Sequence, residues 1–358
     1  MFSSVNEAGK GRIFRMKKFK HLTAVLVSLL LLALITPSHA DSTVGCNQPA
    51  KAVKQVGTLV LASIPANLPT VQWGIGAGCF RKYGLEIKTS FVASTQIGFT
   101  GLISGSYDLF MNTPSNLILL MANGDLDGKI IAPRHGYSAE ELARAKREPL
   151  YPGELLLQSV VLVSKDSPIK SWEDLEGRKI GIKSFKGTDH AGILLAMKSK
   201  GVKTSKFEFL ALSDTQMASA LSRGDVDAVV PSDPFATQMI VNGARVIGYP
   251  SAYYSEPGPA VVYISTQQIV SKKVEAMKAF QKATLEINHL LNLPQNDDSL
   301  RKTIANVTGV SLEAANKLKL PTLVEQNVSF SQIAYIPNKL KSLGFIKSRV
   351  NLAPILFH

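Results

Sequence analysis

Phe207-Glu208-Phe209-Leu210-Ala211-Leu212-Ser213-Asp214-Thr215-Gln216-Met217-Ala218-Ser219-Ala220-Leu221-Ser222-Arg223-Gly224-Asp225-Val226-Asp227-Ala228-Val229-Val230 reads as strand, helix and strand in one run. Residues 207–212 are a short apolar stretch of strand length. Ser213-Asp214-Thr215-Gln216 is a capping box: the serine side chain accepts from the third helical N–H, and the glutamine returns to the serine N–H. The helix reaches Arg223, and Gly224 ends it by taking the left-handed backbone of a C-terminal turn. Residues 226–230 resume a buried run rich in valine. Strands joined through a helix lie parallel, so this stretch implies an α/β sheet.

The alternation extends outward on both sides. Upstream, residues 178–182 are a strand, and Thr188 or Asp189 caps a helix to Lys200. Downstream, Asp233-Pro234 starts a helix to Asn242, and 245–249 is a strand. Farther out lie strands at 159–163 and 260–265. A first alternating set precedes them: strands at 58–63, 85–92, 107–111 and 129–132, with helices from Trp73 to Arg81, from Thr95 to Ser104 and from Pro114 to Asn123. Beyond Ser265 the chain reads as wholly helical. Ser271 caps a helix to about Leu291, and 299–307, 311–318 and 331–342 follow. Two α/β units joined at 159–165 and again near 255–265 place the second unit inside the first, with two crossing strands as the hinge.

The N-terminus reads as an address. Met16-Lys17-Lys18-Phe19-Lys20 is a basic n-region, and residues 22–35 are apolar apart from Thr23 and Ser28. Pro37-Ser38-His39-Ala40 offers small residues at a cleavage site, the pattern of a secretory signal peptide over 1–40. Met16 is the better start of that pattern. No later segment reaches 18 consecutive apolar residues. The formal charge is +13, but six bases and one acid fall in the first forty residues, which leaves +8 on the exported chain. No dense Lys/Arg stretch follows Lys20, so no nucleic-acid partner is expected. Two cysteines and six histidines without clustering exclude a finger-type or ribbon-type zinc site.

Export permits a disulfide between Cys46 and Cys79, tying the mature N-terminus to the first helical segment. Two other readings stand beside it. One is a lipid-modified Cys46, which has no Leu at −3. The other is a nucleophilic Cys79.

Several stretches together resemble the nitrate/sulfonate/taurine-type periplasmic binding proteins of ABC transporters. Asp166-Ser167-Pro168-Ile169-Lys170-Ser171-Trp172-Glu173-Asp174-Leu175-Glu176-Gly177-Arg178-Lys179-Ile180-Gly181-Ile182 resembles their passage from hinge into second lobe. Leu221-Ser222-Arg223-Gly224-Asp225-Val226-Asp227-Ala228-Val229 resembles their later helix-to-strand turn. Lys82-Tyr83-Gly84-Leu85-Glu86-Ile87 and Ile103-Ser104-Gly105-Ser106-Tyr107-Asp108 match the early part in order and spacing. The resemblance spans about 57–290 and is carried mostly by residues that make turns. The segment 134–157 departs from it, being longer and more charged than the family pattern. It reads as a plain surface excursion, as a cleft rim or as a contact for a partner.

The resemblance implies an α/β, two-lobe, type II periplasmic-binding-protein fold with two crossing hinge strands and a ligand cleft between the lobes. Lobe 1 takes 41–160 and 258–358, the latter mainly helical, and lobe 2 takes 161–257. It implies a small-molecule ligand, an ABC permease in the inner membrane as partner, a monomer, no cofactor and no metal. Open α/β sheets bind ligands beyond the carboxyl ends of their strands. That rule names the loops at 63–68, 93–96, 112–116, 184–190, 231–235 and 252–256. They are rich in hydroxyls and amides, several at helix starts, where free N–H groups and the helix dipole favour an anion. The candidate ligand-binding residues are Ser63, Asn67, Thr95, Gln96, Asn112, Thr113, Ser115, Thr188, His190, Asp233, Tyr254 and Glu256. His190 also reads as a first-turn helical residue, and Asp233 as an N-cap. The expected role is a solute-binding component that closes on a small sulfonate, carboxylate or nitrate and delivers it to the permease. A sensor or scaffold on the same fold is the alternative. An exported enzyme of the sulfinate-cleaving type is the third reading, with Cys79 and His190 as the one conceivable reactive pair.

Overall fold

The computed structural model describes residues 45–47, 53–147, 157–203 and 207–358. The signal-peptide reading lies outside the described residues, as does the stretch 148–156 of the charged segment. In chain order the first elements are β1 (Gly57–Ser63), α1 (Pro69–Gly76), α2 (Cys79–Lys82), β2 (Leu85–Phe91), α3 (Thr95–Ile103), β3 (Leu109–Asn112), α4 (Pro114–Asn123) and β4 (Gly128–Pro133). Then come β5 (Gly136–Tyr137), α5 (Ala139–Ala145), β6 (Val161–Val163), β7 (Lys179–Ile182), α6 (Thr188–Ser199), β8 (Glu208–Ala211), α7 (Asp214–Arg223), β9 (Ala228–Val229), α8 (Phe235–Val241), β10 (Arg245–Gly248) and α9 (Pro250–Tyr254). The chain finishes with β11 (Gly258–Pro259), β12 (Val262–Thr266), α10 (Gln267–Lys272), α11 (Val274–Leu291), α12 (Asp297–Thr308), α13 (Leu312–Lys317) and α14 (Ile336–Ser342).

The strands form two five-stranded sheets and one short ladder. The first sheet runs β2-β1-β3-β12-β4, and β12 is antiparallel to both neighbours. The second, read from its other edge, runs β8-β7-β9-β6-β10, and β6 is antiparallel to both neighbours. Each sheet therefore has the same plan: three parallel strands, one returning strand borrowed from across the hinge, then an edge strand. Alternation along the strands loads both faces. Leu109 and Met111 pack on one side with α11 and α12, while Phe110 packs on the other with α3, α4 and the C-terminal segment. In the second sheet Val161 and Val163 face Trp172 and α6, and Leu162 faces α7 and α9.

An aspartate fixes the third strand of each sheet. Asp108 donates its N–H to Val60 O and accepts the Val60 N–H on Oδ2 at 2.9 Å. Asp227 does the same with Lys179, whose N–H reaches Oδ2 at 2.8 Å. Asp174 Oδ2 accepts from Lys170 N and Ser171 N, and Ser171 Oγ accepts from Asp174 N, so Ser171 caps its turn as its sequence implies. Gly248 admits the Trp172 indole, which a Cβ there would meet at 2.4 Å.

Several sequence expectations are corrected. The helix expected from Trp73 to Arg81 breaks at Gly78, whose φ of 75° ends α1, and α2 restarts at Cys79. Ser271 does not cap the long helix. Thr266 caps α10 through Ile269 N, Ser271 donates to Gln267 O inside α10, and Lys273 separates α10 from α11. The loop expected at 252–256 begins inside α9. The tail is not wholly helical, because Leu356 bridges to Ile130 and Leu323 to His135.

The crossing strands lie elsewhere than 159–165. β5 pairs with β11, and the chain passes between the sheets at 134–137 and returns at 258–261. Tyr137, Leu142, Leu157 and Val160 already pack in the core of the second sheet. The described part of the charged segment is thus the outbound hinge strand and a helix whose Ser138–Glu141 capping box starts it. Asn288, buried in α11, holds that strand by donating to Pro133 O and Arg134 O, each at 3.2 Å. Cys46 and Cys79 form the disulfide, anchoring residues 45–47 on α2.

Candidate functional site

A cavity of about 100 Å³ lies where the loops of both sheets meet the crossing strands. Its first-lobe wall carries no charge. Asn112, at the end of β3, accepts Thr113 N and Asn116 Nδ2 on Oδ1 at 2.8 and 2.7 Å, and Thr113 Oγ1 caps α4 by accepting from Asn116 N. Asn112 Nδ2 reaches Thr95 Oγ1 at 3.4 Å. Pro114 at the first helical position has no N–H to satisfy and sets the helix direction.

The second-lobe wall is charged. Lys183, just past β7, donates to Asp189 Oδ2 at 2.6 Å, Val230 O at 3.1 Å and Ser159 Oγ at 3.4 Å. Ser159 Oγ donates to Asp189 Oδ1 at 2.7 Å. Burial pulls the Lys183 ammonium down, but Asp189 and Asp214 outweigh it and hold it above its ordinary range. Asp214 accepts Ser232 N at 2.7 Å, and burial raises its carboxyl against the pull of Lys183. Asp233 Oδ1 accepts from Thr237 N and Thr237 Oγ1, and burial pushes this carboxyl up to about 7. Helix α6 starts at Gly187 with no side-chain cap, so its first-turn N–H groups meet the cavity beside Thr188.

The crossing strand supplies His135, 3% exposed. Arg134 Nη1 approaches His135 Nδ1 at 2.6 Å. Arginine only donates, so Nδ1 accepts and the neutral ring carries its proton on Nε2. Burial and the Arg134 charge keep the imidazole well below its ordinary pKa, hence neutral. Burial lowers Arg134 itself only to about 10, which leaves it charged at neutral pH. Across the cleft, Ser115 Oγ and Tyr254 Oη are 2.6 Å apart, joining the start of α4 to the end of α9.

Of the residues expected from sequence, Asn67, Thr95, Asn112, Thr113, Ser115, Thr188, Asp233 and Tyr254 line this cavity. Four do not. Ser63 is wholly buried at the end of β1. Gln96 turns to two flanking grooves of about 470 and 410 Å³, which share Thr95 with the cavity. His190 packs against the tilted rings of Phe209 and Phe345, with centroids 4.4 and 5.2 Å away, and accepts Lys186 N on Nδ1; burial lowers it to about 4. Glu256 pairs with Lys339 at 2.7 Å outside the cavity. The disulfide takes Cys79, and the aromatic cluster takes His190, so they make no reactive pair.

Sequence reasoning missed Lys183, Asp189, Ser159 and His135. Lys183 stands one residue before the loop that the strand-end rule names. Ser159 precedes β6, which runs antiparallel, so the start of that strand, not its end, meets the cleft. His135 belongs to a crossing strand displaced from where the sequence suggested it. Among the described residues no group of three or more His, Cys, Asp or Glu is placed to hold a metal ion, and no helix is long and apolar enough to cross a membrane.

Residues 157–295 match the family model described as NMT1/THI5 like. Over 90 residues the chain is 32% identical to the putative aliphatic sulfonates-binding protein of Escherichia coli (strain K12), a match covering 25% of this chain and 28% of that protein's length. The alkanesulfonate-binding protein SsuA from Xanthomonas axonopodis pv. citri, bound to MOPS, superposes with a TM-score of 0.67 at 17% identity, covering 87% of this chain and 99% of that one. The periplasmic nitrate-binding protein NrtA from Synechocystis PCC 6803 gives 0.63 at 12% identity, covering 84% of each chain. The protein has the two-lobe periplasmic-binding-protein fold.

Proposed function

We propose that the protein is the solute-binding component of an ABC importer, exported to the periplasm, where it closes on a small acid of the sulfonate, carboxylate or nitrate class and presents the closed form to a membrane permease. The observation that carries this reading is the small polar cavity lined from both lobes and from the hinge. At about 100 Å³ it falls below the range of about 300–1,000 Å³ typical of drug-sized ligands. Donors free of other bonds converge there: the side chains of Asn67, Ser184 and Thr188 have no hydrogen-bond partner among the described residues, and the uncapped start of α6 adds backbone N–H groups.

Closure follows from shared contact. Each lobe supplies part of the site, so a ligand stabilises the closed form by the contacts that only that form completes. The Ser115–Tyr254 bond and the approach of Gly187 to Asn116 are two links between the lobes at the cavity itself.

Thermal unfolding against nitrate, short alkanesulfonates, taurine and small carboxylates tests the reading. A ligand at 100 times its Kd stabilises by about 2.7 kcal/mol, worth a few degrees at this size. A shift with at least one of these acids, confirmed by calorimetry at one site per chain, is the expected result. A flat response to the whole panel, with native mass spectrometry showing no bound molecule, overturns it.

A further inference from the structure

Arg134 is a buried cation without a counter-ion. It is 4% exposed, and among the described residues its side chain donates to Thr70 Oγ1 at 3.3 Å and His135 Nδ1 at 2.6 Å, neither of them an anion. Asp233 borders the same void of about 10 Å³, room for one water at most. Yet no carboxylate holds the guanidinium up: burial lowers it to about 10, opposed by Tyr263 and Tyr137. A buried charge in that state is costly, and exchanging buried charge for an apolar side chain is often neutral or stabilising. A feature that works against the fold points to a use elsewhere.

That use runs through His135. Arg134 occupies Nδ1, so the ring proton sits on Nε2, and Nε2 has no partner among the described residues. Nor does protein enclose it, for the enclosed and unpartnered side-chain atoms belong to Ser63, Asp233, Thr284 and Asn288. His135 lines the cavity, so the free N–H opens there. The walls offer an incoming acid no cation of their own to spare. Lys183, the one ammonium among the lining residues, is bound to Asp189 and answers Asp214 as well.

Building on the solute-binding reading above, we infer that Arg134 is a positioning residue whose missing counter-ion is the solute: it fixes the His135 Nε2–H toward the cavity, and its charge behind the imidazole favours the acid group that accepts from that N–H. Arg134 does not line the cavity itself, so it acts through His135. The alternative, a guanidinium kept for the fold, has the opposite signature. Its removal lowers stability, whereas removal of one kept for the solute spares the free protein and weakens binding.

Urea unfolding, and calorimetry with ethanesulfonate, nitrate and acetate, on the parent, Arg134→Met and Arg134→Lys test this. At pH 7 the free Arg134→Met protein should unfold at or above the parent's urea midpoint, and should bind the tightest of the three acids at least ~tenfold more weakly. Arg134→Lys, which keeps the charge, should recover most of that affinity. In the unaltered protein, nitrogen-15 NMR should show His135 as the Nε2–H tautomer, with that proton's resonance moving when the same acid is added. An Arg134→Met protein that unfolds at lower urea, or does not fold, marks the guanidinium as structural and overturns the inference. Unchanged affinity in a folded Arg134→Met, a loss that Arg134→Lys does not recover, or a His135 proton on Nδ1 overturns it too, and each leaves the solute-binding reading standing. Binding of none of the three acids by the parent overturns the inference, and the taurine and longer sulfonate arms then decide the broader reading.

Discussion

The two lobes share a skeleton and differ in chemistry. Both sheets follow one strand plan, and in both an aspartate bonds back to the middle one of the three parallel strands, Asp108 to Val60 and Asp227 to Lys179. At the cleft the likeness ends. The first lobe presents a neutral lattice of Asn112, Asn116, Thr113 and Thr95. The second presents Lys183 with Asp189, Asp214 and Asp233. A neutral network loses one hydrogen bond at a time, whereas a buried charge network fails as a unit when one member is removed. Recognition by such a pair of walls is asymmetric even though the scaffold is not.

The largest effect is expected from removing the one cation of the charged wall. Lys183→Met strands Asp189 and Asp214 and should cost about 3–5 kcal/mol in urea unfolding at pH 7. Asn112→Ala on the neutral wall should cost about 1–2 kcal/mol. Adding Asp189→Asn to Lys183→Met should return part of the loss. Equal costs for the two single variants would erase the distinction between the walls.

Next comes pH. Burial raises the Asp233 carboxyl from 3.8 to about 7, so the native state holds that proton more tightly than the unfolded chain. Its contribution is complete below about pH 4 and is lost as pH rises toward 7, at about 1.4 kcal/mol for each pH unit between the two values. Without ligand, Asp233→Asn should therefore be more stable than the parent at pH 8, by about 2–4 kcal/mol, and no more stable at pH 4. Thermal melts at the two pH values give the answer, and a gain of the same size at both would show that charge is not its cause.

The shared skeleton is also the part that sequence reveals. The Ser213 capping box, Pro114 and the left-handed Gly224 act within a few residues, so their signals are local, and the structure has them where the sequence implies. The cleft residues depend on pairing between distant segments. Ser159 reaches the site only because β6 enters its sheet antiparallel. His190 stands outside the cavity, packed against Phe345 from far along the chain. Gln158, which also lines the cavity, takes its place by bonding to Lys319 O. No local pattern reports a partner that the fold supplies from elsewhere.

Where the walls touch, space decides. A Cβ at Gly187 would stand 2.4 Å from Ser184 Oγ and 3.3 Å from Asn116 Oδ1 across the cleft. Gly187→Ala should weaken ligand binding about tenfold, or about 1.4 kcal/mol, while shifting the unfolding of the free protein by less than that. Calorimetry beside urea unfolding separates the two. Losses of the same size in both would mark Gly187 as a general packing position and not a point of closure.

The smallest effects test the skeleton itself. The Asp108 side chain is 10% exposed and pairs with Lys273 at 2.7 Å, whereas that of Asp227 is 40% exposed and stands 3.7 Å from Arg178. Each accepts a backbone N–H of the neighbouring strand, Val60 for Asp108 and Lys179 for Asp227, so removing either carboxylate leaves that donor unpaired. The remainder differs with solvent, because an exposed pair at long range contributes about 0–1 kcal/mol. Asp108→Ala should cost about 2–3 kcal/mol and Asp227→Ala about 1 kcal/mol, and raising the salt concentration should narrow the gap little, since the difference is set by burial. If Asp227→Ala costs as much as Asp108→Ala, the shared backbone bond dominates in both lobes and the surrounding charge is secondary. The likeness of the two lobes would then be energetic as well as geometric, and their divergence would be confined to the cleft.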